Sequence, residues 1–187
     1  MMFLIMALSI FAIMETTRTM SDKGPSLLIH LRDMMALPFV VTVVIPYLLY
    51  SAGIPLFKEQ PMAAKIAGAL LFSFGLPLQL YTTYLFKVFG KGTLAPWQPT
   101  QKLVIRGPYR YCRNPMITGV VAILLGEALF LNARGIFIWG IMFSLVNTAF
   151  FIFKEEPDML ARFGEPYAAY KKKVPRWIPN LKPYKEA

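Results

Sequence analysis

RGPYRYCRNPMITG (residues 106–119) is the stretch whose reading decides the fold. Arg106, Arg110 and Arg113 crowd its first eight positions, and from Met116 onward the chain turns apolar. Pro115 suits the first turn of a helix, where its missing N–H costs nothing, and this leaves Asn114 at the N-cap. The open N–H groups of such a helix end favour anions. Arg113, one residue before the cap, can grip a carboxylate with two parallel hydrogen bonds. Lipid phosphate, a substrate carboxylate and a cofactor all answer to that chemistry. An arginine anchored in lipid head groups is the plainer alternative.

Composition sets the class around this helix mouth. The chain has 187 residues and is 56% hydrophobic, with mean hydropathy +0.50. That is more apolar than an ordinary soluble domain. About 20 mostly apolar residues are needed to cross a bilayer. Met34–Phe57, Met62–Phe86, Met116–Leu131 and Gly135–Phe153 meet or approach that length. The third is short and crosses only if the helix continues through Arg134 or the bilayer is thin there. Residues 1–14, MMFLIMALSIFAIM, lack the basic start of a signal peptide. They read as a first span, with a cleaved or surface-lying helix as the alternative. The expected fold is therefore all-α: a polytopic membrane bundle of four core spans, a further N-terminal span and a helical C-terminal tail. It forms a single domain over 1–187, with N-terminal spans to residue 86 and a binding loop, helical hairpin and tail over 87–187.

Charge orients the bundle. Only Lys58, Lys65 and Arg134 fall outside the segments 15–33, 87–115 and 154–187, which hold every other basic residue. Alternating spans place those three segments on one side, and the positive-inside rule makes that side cytoplasmic. The net charge of +10 then reflects topology and attraction to anionic lipid, not nucleic acid. A lone Cys112 and a lone His30 exclude an internal disulfide and metal sites built from cysteine or clustered histidine.

Prolines and glycines mark the organisation. Pro38, Pro46 and Pro55 in one segment, and Gly68, Gly75 and Pro77 in the next, suggest kinked spans. The short link Asn132–Gly135 makes the last two spans a tight hairpin. Seven glycines and prolines in Lys87–Pro115 forbid a long helix there. In the tail, Glu155–Phe163 and Pro166–Lys173 read as helices parted by Gly164, with Tyr167 and Tyr170 on one face. Trp177, Tyr184 and the lysines suit the head-group level.

Glu155 and Glu156 lie just past the last span. They read either as acidic residues starting a tail helix or as carboxylates for a ligand's ammonium or hydroxyls. An arginine at one end of the hairpin and a glutamate at the other converge in this second reading and grip a zwitterion between Arg113 and Glu156. Elsewhere, Glu127 is an intramembrane carboxylate that Arg134 can pair across the hairpin turn. Cys112 sits beside cations but has no base near it in sequence.

RGPYRYCRNPM followed by EEPDMLARFGEPYAAYKKKVPRWIP resembles the isoprenylcysteine carboxyl methyltransferase family, itself similar to phospholipid methyltransferases. The shared pattern spans Gly107 to Pro179. The resemblance implies S-adenosylmethionine held on the cytosolic side, and a lipophilic or membrane-delivered methyl acceptor with a carboxylate, amine or thiol. It nominates Gly107, Tyr109, Arg113, Asn114, Pro115, Glu155, Glu156, Tyr167 and Tyr170 for the cofactor pocket, with Arg113 and Glu156 central to catalysis. With one cysteine and one histidine in the chain, no metal is expected. Many members have histidine where this chain has Asn114, and asparagine cannot serve as a base near neutral pH. The loop GKGTLAPWQPTQKL looks like the bacterial branch of the superfamily, which implies a multi-pass inner-membrane protein. Membrane sterol reductases, which use NADPH, have a similar arginine-x-proline helix mouth and basic aromatic tail. A non-enzymatic accessory protein is the third reading.

Overall fold

The computed structural model describes residues 37–90 and 103–185. The expected span at 1–14 and the connector holding His30 lie outside the described residues. Among the described residues the chain is helical, with no strand and one isolated bridge between Pro55 and Ala133. The helices are α1, Leu37–Tyr50; α2, Met62–Gly90; α3, Pro115–Phe130; α4, Arg134–Phe163; and α5, Glu165–Lys173. A 3₁₀ turn, Gly107–Arg110, precedes α3.

Two of these helices are long and apolar enough to cross a membrane, through Met62–Phe86 and Arg134–Phe163. Only 17% of the apolar window in each is buried against the rest of the chain. Leu70, Phe74 and Leu80 of α2 and Ile138, Met142 and Leu145 of α4 therefore point outward. A surface helix of a soluble domain turns such residues inward. α1 is shorter than the apolar segment read around it, because the helix stops before Gly53 (φ +68°) and Pro55. α3 is short as well. Its helix ends at Phe130, and Asn132 adopts φ +54° in the turn that follows, so it does not continue through Arg134.

α2 and α3 pack antiparallel through glycines that match in spacing. Gly68 meets Gly126 and Gly75 meets Gly119, each pair set by a seven-residue repeat on its own helix. A Cβ at Gly126 would lie 2.7 Å from the Phe72 backbone nitrogen. Missing side chains let the backbones approach, as small residues do between membrane helices. These glycines are contact points, and helical structure in α2 runs on through Pro77.

Two π turns interrupt the α-helical pattern, Val40–Val44 in α1 and Phe151–Glu155 in α4. Each is followed within two residues by a proline, Pro46 or Pro157. A proline inside a helix lacks an N–H and crowds the carbonyl four residues back. The wider π turn accommodates both effects without ending the helix. In α1 it also leaves the Val41 carbonyl free to accept a 3.1 Å hydrogen bond from Trp139 Nε1 of α4. The last span and the first tail helix, read as separate, are thus one helix to Phe163. Glu155 and Glu156 do not start a helix but lie at the π turn within it. The break at Gly164 (φ +56°) falls where the sequence places it.

Candidate functional site

The site is assembled from three parts of the chain: the helix mouth at 106–115, the π turn of α4 and the tail beyond α5. After Lys173 the tail runs back along the helix mouth as a strap. Arg113 N donates to Pro175 O (2.9 Å), Asn114 N to Arg176 O (3.3 Å), Asn180 N to Tyr111 O (2.9 Å) and Tyr184 N to Arg110 O (2.8 Å). Arg110 Nε returns a 2.8 Å bond to Tyr184 O. Pro108 and Pro115 keep this segment out of a long helix, which leaves its backbone groups available to the strap.

Glu156 is the centre of the site. It is 5% exposed. Its Oε1 accepts from Arg113 Nη1 at 2.8 Å and from Arg176 Nε at 2.7 Å, and its Oε2 pairs with Lys171 Nζ at 2.8 Å. Three cations thus surround one carboxylate. The π turn brings Glu156 onto the face of α4 that meets the α3 mouth. Arg113 Nε is buried without a hydrogen-bond partner. A buried donor left open on a cation is costly unless something accepts from it.

The other expected residues fall around this centre or apart from it. Pro115 is the fully buried first residue of α3. Asn114 holds the N-cap position, but its side chain makes no capping bond. Its carbonyl accepts instead from Thr118 N and Oγ1, both at 3.1 Å. Glu155 is half-buried next to Glu156. Tyr167 and Tyr170 are buried with Val174 in an aromatic cluster under the strap, and Tyr170 OH donates to Tyr109 O at 2.6 Å. Tyr109 packs against Leu85 and Val104. Gly107 (φ +53°) opens the 3₁₀ turn so close to α2 that a Cβ would sit 2.8 Å from Leu85 Cδ1.

Burial also holds the protons of the phenols and the thiol near the site. It lifts the Tyr109 and Tyr170 phenols far above their ordinary range. It raises the Tyr167 phenol as well, against the opposing pull of Arg113 beside it. It pushes the Cys112 thiol up despite a hydrogen bond from the Asn114 backbone. Adjacent cations do not make that thiol a nucleophile.

Lys171 and Arg176 carry no motif that marks them as site residues. Arg176 lies between the two prolines of VPRWIP, and that placement was its one signal. The pairing expected between Glu127 and Arg134 is absent: Glu127 Oε2 is buried without a partner, and Arg134 stays exposed. Arg134 N is tied to Ile54 O at 3.1 Å, which holds that residue against the α1–α2 loop. A separate cavity of about 600 Å³ lies beside the 3₁₀ turn and shares only Gly107 with the expected residues. Among the described residues no group of histidine, cysteine and acidic side chains is arranged for a metal.

The helical hairpin, its charged mouth and the α2 helix packed on it coincide with a known family model. Residues 63–166 match phospholipid methyltransferase, and the chain belongs to that family. It is similar to the protein-S-isoprenylcysteine O-methyltransferase of Schizosaccharomyces pombe, 40% identical over 82 residues, or 42% of this chain and 34% of that protein. The Mus musculus protein of the same name is 34% identical over 86 residues, 44% of this chain and 29% of its own. The matched part thus amounts to about a third of each relative's length. These names agree with the family resemblance carried by the two motifs. No solved structure matches.

Proposed function

We propose that this protein is an integral membrane methyltransferase, a single multi-pass domain with its tail in the cytoplasm. It uses S-adenosylmethionine and acts on a lipophilic or membrane-delivered acceptor bearing a carboxylate, amine or thiol. The observation that carries this reading is the Arg113–Glu156 pair, which joins the two halves of the family motif at 2.8 Å. S-adenosylmethionine supplies a methyl group on a positively charged sulfur and leaves as a neutral thioether.

The residues present fit its methionine end. Arg113 has an open buried Nε, and the cluster carries two more cations than carboxylates, so a further carboxylate is welcome there. Glu156 supplies the negative charge that an ammonium group needs. Its Oε2 is held from the exposed side by Lys171, the most exposed of the three cations, so that oxygen is the one a ligand can share. In this reading Asn114, Pro115, Glu155, Tyr167 and Tyr170 surround the methionine end, while Gly107 and Tyr109 shape the helix mouth behind it.

The chain's own contribution is alignment and exclusion of water. Asn114 cannot take up a proton, and the buried phenols keep theirs. An acceptor that is already ionised needs only this alignment, and a thiol or amine would give its proton to Glu155 or Glu156.

The test is methyl transfer from labelled S-adenosylmethionine into a membrane lipid extract. Arg113→Ala is expected to insert in membranes and lose transfer. Equal labelling by both proteins removes Arg113 from the site. A protein that binds and oxidises NADPH but transfers no label establishes the reductase reading instead.

A further inference from the structure

The cavity of about 600 Å³ lies where the apolar part of α2 ends. One wall is Tyr81, Leu85 and Phe89, three residues spaced by four along a single face of α2. The apolar segment Met62–Phe86 stops within that wall. The opposite rim carries Arg106, Arg110 and Lys185. No acidic side chain lines the cavity. Among the described residues none of the three cations has an ion-pair partner.

Two of the cations are fixed in place. The Arg106 guanidinium stacks 4.3 Å from the Phe89 ring centre. That contact holds its plane and leaves its N–H edge open. Arg110 is held by the bond from Nε to Tyr184 O, which leaves its two terminal nitrogens for an anion. The volume is that of an ordinary small-ligand cleft. An anionic head against a basic rim, with a hydrocarbon tail along an aromatic wall, is the chemistry these surfaces match. S-adenosylmethionine is a poor match, because its sulfonium and ammonium would meet three unbalanced cations.

We propose that this cavity binds the phosphate head group of an anionic phospholipid, with the first part of an acyl chain lying along Tyr81, Leu85 and Phe89. The site is separate from the Arg113–Glu156 cluster. It rests on the membrane placement proposed above and not on the methyl-transfer reading, so either can fail alone. A bound lipid there would brace the strap through Arg110 and Tyr184.

The test uses the full-length protein in nanodiscs of phosphatidylcholine with a minor share of phosphatidylglycerol. Native mass spectrometry reads the lipid retained after release. Wild type is expected to retain phosphatidylglycerol in preference to phosphatidylcholine. Arg106→Gln and Lys185→Gln are each expected to lose that preference by about fivefold, the weight of one basic residue at an anionic surface. Lys182→Gln, an exposed lysine outside the cavity, keeps it. Far-ultraviolet circular dichroism confirms that each variant is folded. Equal retention by the cavity variants and Lys182→Gln overturns the proposal, as does equal retention of both lipids by wild type. Removal of the lipid by inorganic phosphate reassigns the cavity to a soluble anion, and removal by NADPH reassigns it to a nucleotide. Either result overturns the lipid assignment.

Discussion

Gly75 of α2 and Gly119 of α3 meet backbone to backbone. A Cβ at Gly75 would lie 2.7 Å from the Gly119 carbonyl oxygen and 2.9 Å from the Ala122 Cβ. Backbone atoms cannot yield as a flexible side chain does. Gly75→Ala is therefore expected to destabilise the protein by about 1–3 kcal/mol, the usual cost of overpacking. Thermal unfolding in detergent checks this, with Ser73→Ala on the exposed side of α2 as control. Equal midpoints for the two variants would show that the helices part easily and that the glycine contact is incidental.

Removing the carboxylate from the ion cluster should cost more than removing any one cation. Glu156→Gln leaves Arg113 and Arg176 facing each other without an anion between them. Breaking a buried pair in this way costs about 3–5 kcal/mol. Lys171 is 43% exposed, so Lys171→Ala should stay within about 1 kcal/mol. Unfolding midpoints of the two variants give the ranking, and a larger loss from Lys171→Ala contradicts the burial of Glu156 as the controlling feature.

Alkaline conditions should weaken the fold through two tyrosines. Burial lifts the Tyr109 and Tyr170 phenols well above their ordinary value of 10.0. Above about pH 10 the unfolded chain gives up these protons and the folded chain keeps them. The folded state then binds more protons, so its stability is full below that pH and falls as pH rises past it. Tyr109→Phe should soften the decline. A variant with the same alkaline profile as wild type would locate the pH dependence elsewhere.

Cys112 is 4% exposed, and burial raises its thiol. Reactivity follows the thiolate and its access. A maleimide is expected to leave the folded protein unlabelled at neutral pH and to label it fully once denatured. Rapid labelling of the folded protein would mean that the strap over residues 110–114 opens readily.

Local chemistry was legible in the residues. The apolar run of α2, the turn at Asn132 and the break at Gly164 follow from composition and breakers over a few positions. The meeting of Arg113 and Glu156 followed from the hairpin that joins them. What escaped was set by partners distant in sequence. Gly68 and Gly75 look like weak points in an isolated helix, and only the matching Gly119 and Gly126 make them contacts. Glu155 and Glu156 look like a helix start, because nothing local announces the π turn that carries the helix on to Phe163. Arg176 reads as one more surface cation until the strap carries it back to Glu156. The pairing of Glu127 with Arg134 was plausible by distance along the chain, but Arg134 is held by its backbone to Ile54.

The strap also sets an order of events during synthesis. Arg113 and Glu156 emerge from the ribosome before Arg176 and the residues that follow it. Until Pro175 and Arg176 arrive, the backbone N–H groups of Arg113 and Asn114 lack their carbonyl partners, and Glu156 lacks one of its two guanidinium partners. The helix mouth and Glu156 therefore gain their full set of partners only once the stretch after Lys173 has folded back across them.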